Sequence, residues 1–253
     1  MAEELGRITK PEAEQFKKGR RLFLVPLIFS HPSPPPELES ILQRYWGEAR
    51  HQIAGLERRI GNINRVYHEM VADGGDKGLK TLESLNPASH YLVKRSVEQG
   101  AGFTPVEDSE ILTEFMDWSR CLSVGLFSHK VLNTVLNAYQ ESQQQRNQAM
   151  ATRIDESLGS DEIGLLIVSE NHRIQFAPDI EVFYVAPPAL DEFKRWLRQQ
   201  EFAGQKQEEA REEAGPGKPP ETKTSGKKAP SGGRPAKKKT ASSRKPGKKG
   251  PKE

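Results

Sequence analysis

The chain has 253 residues, of which 34% are apolar and 29% are charged, with a formal net charge of +3. That balance averages two unlike regions: residues 214–253 carry 13 Lys and Arg against two Glu, whereas residues 1–213 carry 25 basic and 33 acidic residues. The acidic main part excludes a general basic nucleic-acid-binding fold. The single cysteine, Cys121, excludes a disulfide framework and zinc sites built from cysteine pairs, and it favours a cytoplasmic location.

Apolar periodicity predicts alternating strands and helices from residue 21 to about residue 200. In chain order, the pattern predicts a strand at 22–29, a helix at 37–60, a strand at 62–69, two short helices within 77–100, a weak strand at 103–106, helices at 108–127 and about 131–158, strands at 163–169 and 180–185, and a last helix after Pro188. Alternation of this kind indicates an α/β fold with a mostly parallel sheet of about five strands and helices on both faces. The last two strands are close enough in sequence to form an antiparallel edge pair instead.

The composition predicts a polar arm at 1–20, an α/β domain at 21–202 and a tail at 203–253. The tail is rich in Lys, Pro and Gly and almost free of apolar residues, so it is expected to be disordered. No apolar run in the chain approaches the roughly 18 residues that a membrane-spanning helix needs. The sequence therefore predicts one folded domain followed by a basic extension.

Clustered cations in the tail predict non-specific binding of nucleic acid by counterion release. The tail contains no aromatic residue that could stack on bases. An anionic membrane surface, or no defined partner, remain as alternatives. The cations assigned to this binding are Lys227, Lys228, Lys237, Lys238, Lys239, Arg244, Lys245, Lys248 and Lys249.

Polar side chains follow the predicted strands at their carboxyl ends, where open α/β sheets form their sites. His31 follows the first strand, and His68 and Glu69 end the second. Glu107 and Asp108 follow the third strand, and His172 follows the fourth. Imidazoles and carboxylates together suit a divalent metal or a general acid–base pair. Polar loop residues without a role, and a helix cap at Asp108 or Ser109, are the alternatives.

One arginine interrupts the apolar face of the long predicted helix. Arg146 falls on the same stripe as Tyr139 and Met150. A charge in that position needs a partner, because an unpaired buried charge is costly. Arg146 is therefore predicted either to bind an anionic ligand or to pair with a buried Glu.

The run Arg146-Asn147-Gln148-Ala149-Met150-Ala151-Thr152-Arg153-Ile154, followed by an apolar strand and His172, resembles part of the TraB/ChaN/erythromycin-esterase-like group. The strand before His31 and the segment Val66–Glu69 match that group loosely, and residues 20–200 also look like an uncharacterised bacterial family of the same layout. The chain departs from the pattern at Ser169 and Ile28, where the group has glycines.

The resemblance implies a sheet-and-helix core whose site uses His and Glu side chains, in some members with a metal, for hydrolysis or haem-related binding. It implies catalytic roles for His172, Arg146 and His31, with Glu69 as the carboxylate. The position of His68 at the end of the second strand adds this residue to the predicted catalytic set. A divalent metal, if present, is expected on His31, Glu69 and His172. The chain is accordingly predicted to be a metal-assisted hydrolase of a small molecule or peptide, or a non-catalytic domain that binds a ligand or protein while its tail holds nucleic acid.

Overall fold

The computed structural model describes residues 19–29 and 33–213, with side chains described through residue 203. The strands are β1 (Arg20–Pro26), β2 (Arg65–His68), β3 (Gly102–Phe103), β4 (Ile163–Val168) and β5 (Ile180–Tyr184). The helices are α1 (Pro36–Ile60), α2 (Gly75–Leu85), α3 (Pro87–Glu98), α4 (Ser109–Ser123), α5 (His129–Ser157) and α6 (Pro188–Glu213). Each predicted element is present, which confirms the alternation that the apolar spacing predicted.

The five strands form one sheet in the order β3-β2-β4-β1-β5, and all neighbouring strands are parallel. The predicted α/β class is therefore confirmed. The alternative of an antiparallel edge pair is wrong, because β1 lies between β4 and β5 and pairs with both. The segment 169–179 connects β4 to β5 across β1 and contains no helix. A connection this short therefore still joins two parallel strands.

Alternate side chains of each buried strand project into two separate apolar cores, one on each face of the sheet. Phe23 and Val25 of β1 face a core that is completed by α1, α2, α3 and α6. Leu22 and Leu24 face the opposite core, which contains Met150 and Ile154 of α5. Helices thus cover both faces, and this explains why β1 and β4 are apolar throughout.

The four connections between successive strands cross both faces of the sheet. The connections from β1 to β2 and from β2 to β3 run over the α1 face, whereas those from β3 to β4 and from β4 to β5 run over the α5 face. Because the two pairs of connections also move in opposite directions across the sheet, all four share one hand. The loops that follow β2 and β4 consequently leave these two neighbouring strands toward opposite faces of the sheet. Such a divergence of loops is the arrangement that opens a ligand crevice.

Local signals fix the helix starts. The Asp108 side chain accepts hydrogen bonds from the backbone N–H of Glu110 at 3.0 Å and of Ile111 at 3.3 Å, so Asp108 is the cap of α4. The Asn86 side chain accepts from the Ser89 backbone at 3.1 Å and caps α3, where the sequence predicted a break before Pro87. Both caps lie close to the carboxyl edge of the sheet.

Helix α4 packs on α5 rather than on the sheet. None of its side chains is fully buried. The Phe115 ring stacks on Tyr139 of α5 with a centroid distance of 5.2 Å, and this contact joins the two helices above the end of β3. The pair therefore forms a wall on the α5 side of the carboxyl edge.

Helix α6 continues to Glu213, so the first residues of the tail predicted from residue 203 are helical in the structure. The chain divides into units 1–206 and 207–253, and only residues 207–213 of the second are described. The predicted arm up to residue 18, His31, and the nine tail cations lie outside the described residues. No helix within the described part is long and apolar enough to cross a membrane.

Candidate functional site

Three strand ends and one long helix converge at the carboxyl edge of the sheet. Glu69 directly follows β2, Ser169 directly follows β4, and Glu107 lies four residues after β3. Arg146 projects from α5, which covers this face. Sequence-distant residues meet here because all the strands are parallel and end at the same edge.

Arg146 forms a buried ion cluster with two glutamates. Its Nε donates to Glu107 Oε2 at 2.9 Å, and its Nη2 donates to Glu69 Oε1 at 2.9 Å and also to Glu107 Oε1. The exposed fractions of the three side chains are 6% for Arg146, 7% for Glu69 and 0% for Glu107. The structure thus pairs the buried arginine with protein carboxylates, which is the second of the two predicted possibilities.

The electrostatic environment keeps Arg146 charged. Burial alone would lower the pKa of Arg146, but the hydrogen bonds and charges of Glu107 and Glu69 outweigh burial and raise it. The guanidinium also lies over the Phe115 ring, 4.7 Å from the centroid, which adds a cation–π contact. With both carboxylates ionised, the cluster holds two negative charges against one positive charge.

Backbone and hydroxyl donors complete the hydrogen bonding of the two carboxylates. Glu107 Oε1 accepts from the Met70 backbone N–H at 2.9 Å, and Met70 adopts a left-handed φ of 68°. Glu69 Oε2 accepts from the Ser169 hydroxyl at 2.6 Å and from the Ser169 backbone N–H at 2.5 Å. A left-handed conformation is unfavourable for a side chain such as that of Met70, so the cluster sets the backbone that follows β2.

His172 lies in the turn that follows β4 and is partly exposed. Burial lowers the pKa of His172, although the nearby charge of Glu69 acts in the opposite direction. The ring is therefore neutral near pH 7. Its Nδ1 accepts a 3.3 Å hydrogen bond from the backbone N–H of Ile174, which assigns the remaining ring proton to Nε2.

His68 is separated from the cluster by the sheet. Because successive strand residues face opposite sides, His68 projects toward α3 while Glu69 projects toward α5. His68 is completely buried; its Nε2 is hydrogen-bonded to Ser89 Oγ at 2.9 Å and its Nδ1 to the Glu69 carbonyl. The prediction grouped His68 with Glu69 from their adjacency, but the structure does not bring this imidazole to the site.

The predicted metal centre of His31, Glu69 and His172 is only partly within the described residues. His31 lies outside the described residues, and Glu69 uses both carboxylate oxygens for Arg146 and Ser169. Within the described ranges, no group of three or more His, Cys, Asp or Glu side chains is placed to hold a metal ion. The chemistry of the described site is consequently that of a carboxylate–guanidinium cluster beside a neutral imidazole.

Two members of the site were not assigned from the sequence. Glu107 was noted only as a strand end, although its position between the buried Val106 and the cap Asp108 marks it as a carboxylate at the sheet edge. Ser169 was noted only as a departure from the group pattern. Its hydrogen bonds to Glu69 could not be inferred from spacing, because the two residues are 100 positions apart.

The fold and the cluster together define an α/β domain with a buried ionic site at the carboxyl edge of an all-parallel sheet. Comparisons with protein-family models, with curated proteins and with solved structures find no match for the chain.

Removal of the shared cation should destabilise the domain strongly. We expect Arg146→Met to lower the free energy of unfolding by about 3–5 kcal/mol at pH 7, because it leaves two buried carboxylates without a counter-charge. Glu107→Gln should cost less, since it leaves one carboxylate facing one guanidinium. Denaturant titrations followed by circular dichroism measure both changes.

The matched control is Arg120→Met, which removes an exposed i,i+3 ion pair with Asp117 and should change stability by no more than about 1 kcal/mol. An Arg146→Met protein as stable as the parent would contradict the role of the cluster.

The buried His68 should make stability depend on pH. Burial lowers the pKa of His68 in the folded protein to about 4, whereas an unfolded histidine titrates near 6.5. The unfolded state therefore binds more protons between these values. We expect the free energy of unfolding to fall as the pH drops through this window, by at most about 1.4 kcal/mol per pH unit from this residue.

Denaturant titrations at pH 7.5 and pH 5.0 check this dependence. His68→Gln should reduce the difference between the two pH values, whereas the exposed control His51→Gln should keep it. Equal differences in the parent and both variants would show that His68 does not carry the effect.

Proposed function

We propose that the described domain is a TraB/ChaN-like hydrolase whose site is the carboxyl edge around Glu69, Arg146 and His172. The observation that carries the proposal is the buried Glu69–Arg146 ion pair, which joins residues 77 positions apart at 2.9 Å. The resemblance to the TraB/ChaN-like group implies site roles for both Glu69 and Arg146, and it does so independently of the distance between them. Their contact, with His172 close enough for Glu69 to influence its pKa, is the arrangement expected of one shared site.

Each of the three residues has a separate role in this proposal. Glu69 is the base, because a proton on its carboxyl group leaves Glu107 and Arg146 as a neutral pair. Arg146 positions Glu69, since its Nη2 donates to Glu69 while its Nε donates to Glu107. His172 is the donor, because a neutral imidazole with its proton on Nε2 can hydrogen-bond to an oxygen that gains negative charge.

A polar cleft along α5 supports a small-molecule or peptide ligand, and its wall includes Asn147 and Arg173, the chain neighbours of Arg146 and His172. The cleft has a volume of about 620 Å³ and runs along α5, where its wall includes Gln140, Gln143 and Gln144. The Asn147 side-chain oxygen accepts a 3.4 Å hydrogen bond from the Arg173 backbone. Carboxamides both donate and accept, so they suit a ligand with several neutral polar groups.

The second function is a non-catalytic domain that binds a ligand or a protein. The observation in its favour is the complete hydrogen bonding of the cluster: no fully buried side-chain nitrogen or oxygen within the described residues lacks a partner. Such a network also occurs as a purely structural element. The two functions differ in turnover, which is measurable.

Hydrolysis of a panel of chromogenic carboxylic esters, phosphoesters and peptides by the full chain tests the first function. We expect His172→Ala and Glu69→Gln to lower kcat/KM by about 10²–10⁴-fold, because each loses one acid–base group. The control is His51→Ala, an exposed histidine of α1, which should retain the parent rate. Binding without turnover of any panel member would favour the second function.

The metal content of the same preparations tests the metal-assisted form of the prediction. Because both carboxylate oxygens of Glu69 are hydrogen-bonded to Arg146 and Ser169, we expect plasma mass spectrometry to find metal well below one ion per chain after purification without an affinity tag. Stoichiometric metal in the parent and none in His172→Ala would instead support a centre built from His31, Glu69 and His172.

For the tail we propose non-specific binding of nucleic acid in the cytoplasm. The support is the charge count, because residues 214–253 hold 13 Lys and Arg and two Glu. Lys and Arg side chains bind phosphates by releasing counterions, so DNA and RNA are both expected to bind.

Replacement of the nine assigned tail cations by Gln should abolish most of this binding. Each cation that contacts duplex DNA contributes about 0.9 to the slope of log K against log salt, so the slope should decrease by up to about 8. Fluorescence anisotropy with a labelled duplex between 50 and 200 mM salt measures it. A control that changes the eight lysines among them to Arg keeps the charge and should bind like the parent; equally tight binding by the Gln variant would contradict the proposal.

A further inference from the structure

We propose that Ser169 is the nucleophile of the site and that Glu69 Oε2 is the base that takes its proton. This inference rests on the hydrolase function proposed above and adds the reacting atom. Nothing in the resemblance suggests it, because the TraB/ChaN-like group has a glycine, which has no hydroxyl, at this position.

The register of the sheet places the serine beside the carboxylate. Parallel pairing of β2 with β4 continues past the strand ends, where the Glu69 backbone N–H donates to the Ile167 carbonyl at 2.9 Å. Ser169 follows β4 by one residue, so its hydroxyl reaches Glu69 Oε2 at 2.6 Å. That distance is typical of an O–H donor on an ionised carboxylate.

The charge of the cluster makes Glu69 a suitable proton acceptor. Two buried carboxylates share the single guanidinium of Arg146, so the ionised cluster has one uncompensated negative charge. When Glu69 takes the proton of Ser169, the remaining Glu107–Arg146 pair is neutral. The proton transfer therefore moves the excess negative charge of the cluster to the reacting oxygens, and the buried carboxylate–guanidinium pair that remains is neutral.

Exposure distinguishes this serine from the other serine that is paired with a titratable group on this edge. Ser89 Oγ is hydrogen-bonded to His68 Nε2 at 2.9 Å, but both residues are completely buried. Ser169 is partly exposed, as is His172, whose backbone N–H donates to the Ser169 carbonyl at 3.1 Å in the same turn. Ser169 and His172 thus belong to one turn at the surface of the domain, whereas Ser89 and His68 do not reach solvent.

On an ester, the Ser169 oxygen forms a bond to the carbonyl carbon while its proton passes to Glu69 Oε2. The carbonyl oxygen takes the electron pair of the double bond and accepts a hydrogen bond from His172 Nε2. The bond to the leaving alcohol then breaks, and the alcohol receives the proton from Glu69. Water attacks the acyl-serine in the same way, gives its proton to Glu69, and this proton finally returns to the Ser169 oxygen.

A fluorophosphonate reagent tests the inference without knowledge of the substrate. The Ser169 oxygen would bond to phosphorus, fluoride would leave with its electron pair, and the serine proton would pass to Glu69. Intact mass and peptide mapping of the full chain should show one adduct, on Ser169. Ser169→Ala and Ser169→Gly should give none, and Glu69→Gln should slow the labelling by about 100-fold or more.

Two further readouts keep the test specific. Ser142→Ala, a buried serine of α5, should label at the parent rate, and thermal unfolding should show that the Ser169 variants are folded. If the parent hydrolyses a panel ester, gives no adduct, and Ser169→Gly keeps the rate, the hydrolase function stands and Ser169 is not the nucleophile. If the parent neither hydrolyses the panel nor forms an adduct, both proposals are overturned.

Discussion

Arg146 is the cation that joins two crossovers of the sheet, from β2 to β3 and from β3 to β4, at one buried point. Its guanidinium contacts the carboxylate that follows β2 and the carboxylate that follows β3, while its own helix leads back to β4. A charge with less than a tenth of its side chain exposed persists only with such partners. The positions of Glu69, of the strained Met70 and of Ser169 all depend on this interaction. The same residues that satisfy the arginine are therefore the residues that form the site.

The two-residue period of the strands decides which polar residues belong to the site. His68 and Glu69 are adjacent in sequence, yet they face opposite cores. The His68 imidazole is hydrogen-bonded to Ser89 in the core on the α1 side of the sheet, whereas the Glu69 carboxylate accepts a hydrogen bond from Arg146 on the α5 side. Two residues that are adjacent at a strand end therefore do not share a site, because their side chains project to opposite sides of the sheet.

The sequence was sufficient for the architecture and for part of the site. Continuous apolar runs and helical spacing located the strands and helices, and the break in the stripe at Arg146 indicated a buried charge in need of a partner. The strand order was not accessible, because β1 pairs with β4 and β5 through contacts between Arg21 and Ile163 and between Arg21 and Glu181 that no local pattern encodes. Glu107 as the partner of Arg146 depends on that order and so could not be assigned.

The central position of β1 also constrains how the chain folds during synthesis. β1 is the first strand to leave the ribosome, but its neighbours β4 and β5 begin at Ile163 and Ile180. At translation rates of about 5–20 residues per second, an apolar strand waits on the order of ten seconds for its first partner. Sheets dominated by such distant pairings fold slowly, and their exposed strands attract chaperones. Helix α1 follows β1 in the chain and packs on one face of it in the folded domain, so it is the first element available to cover that face during this interval.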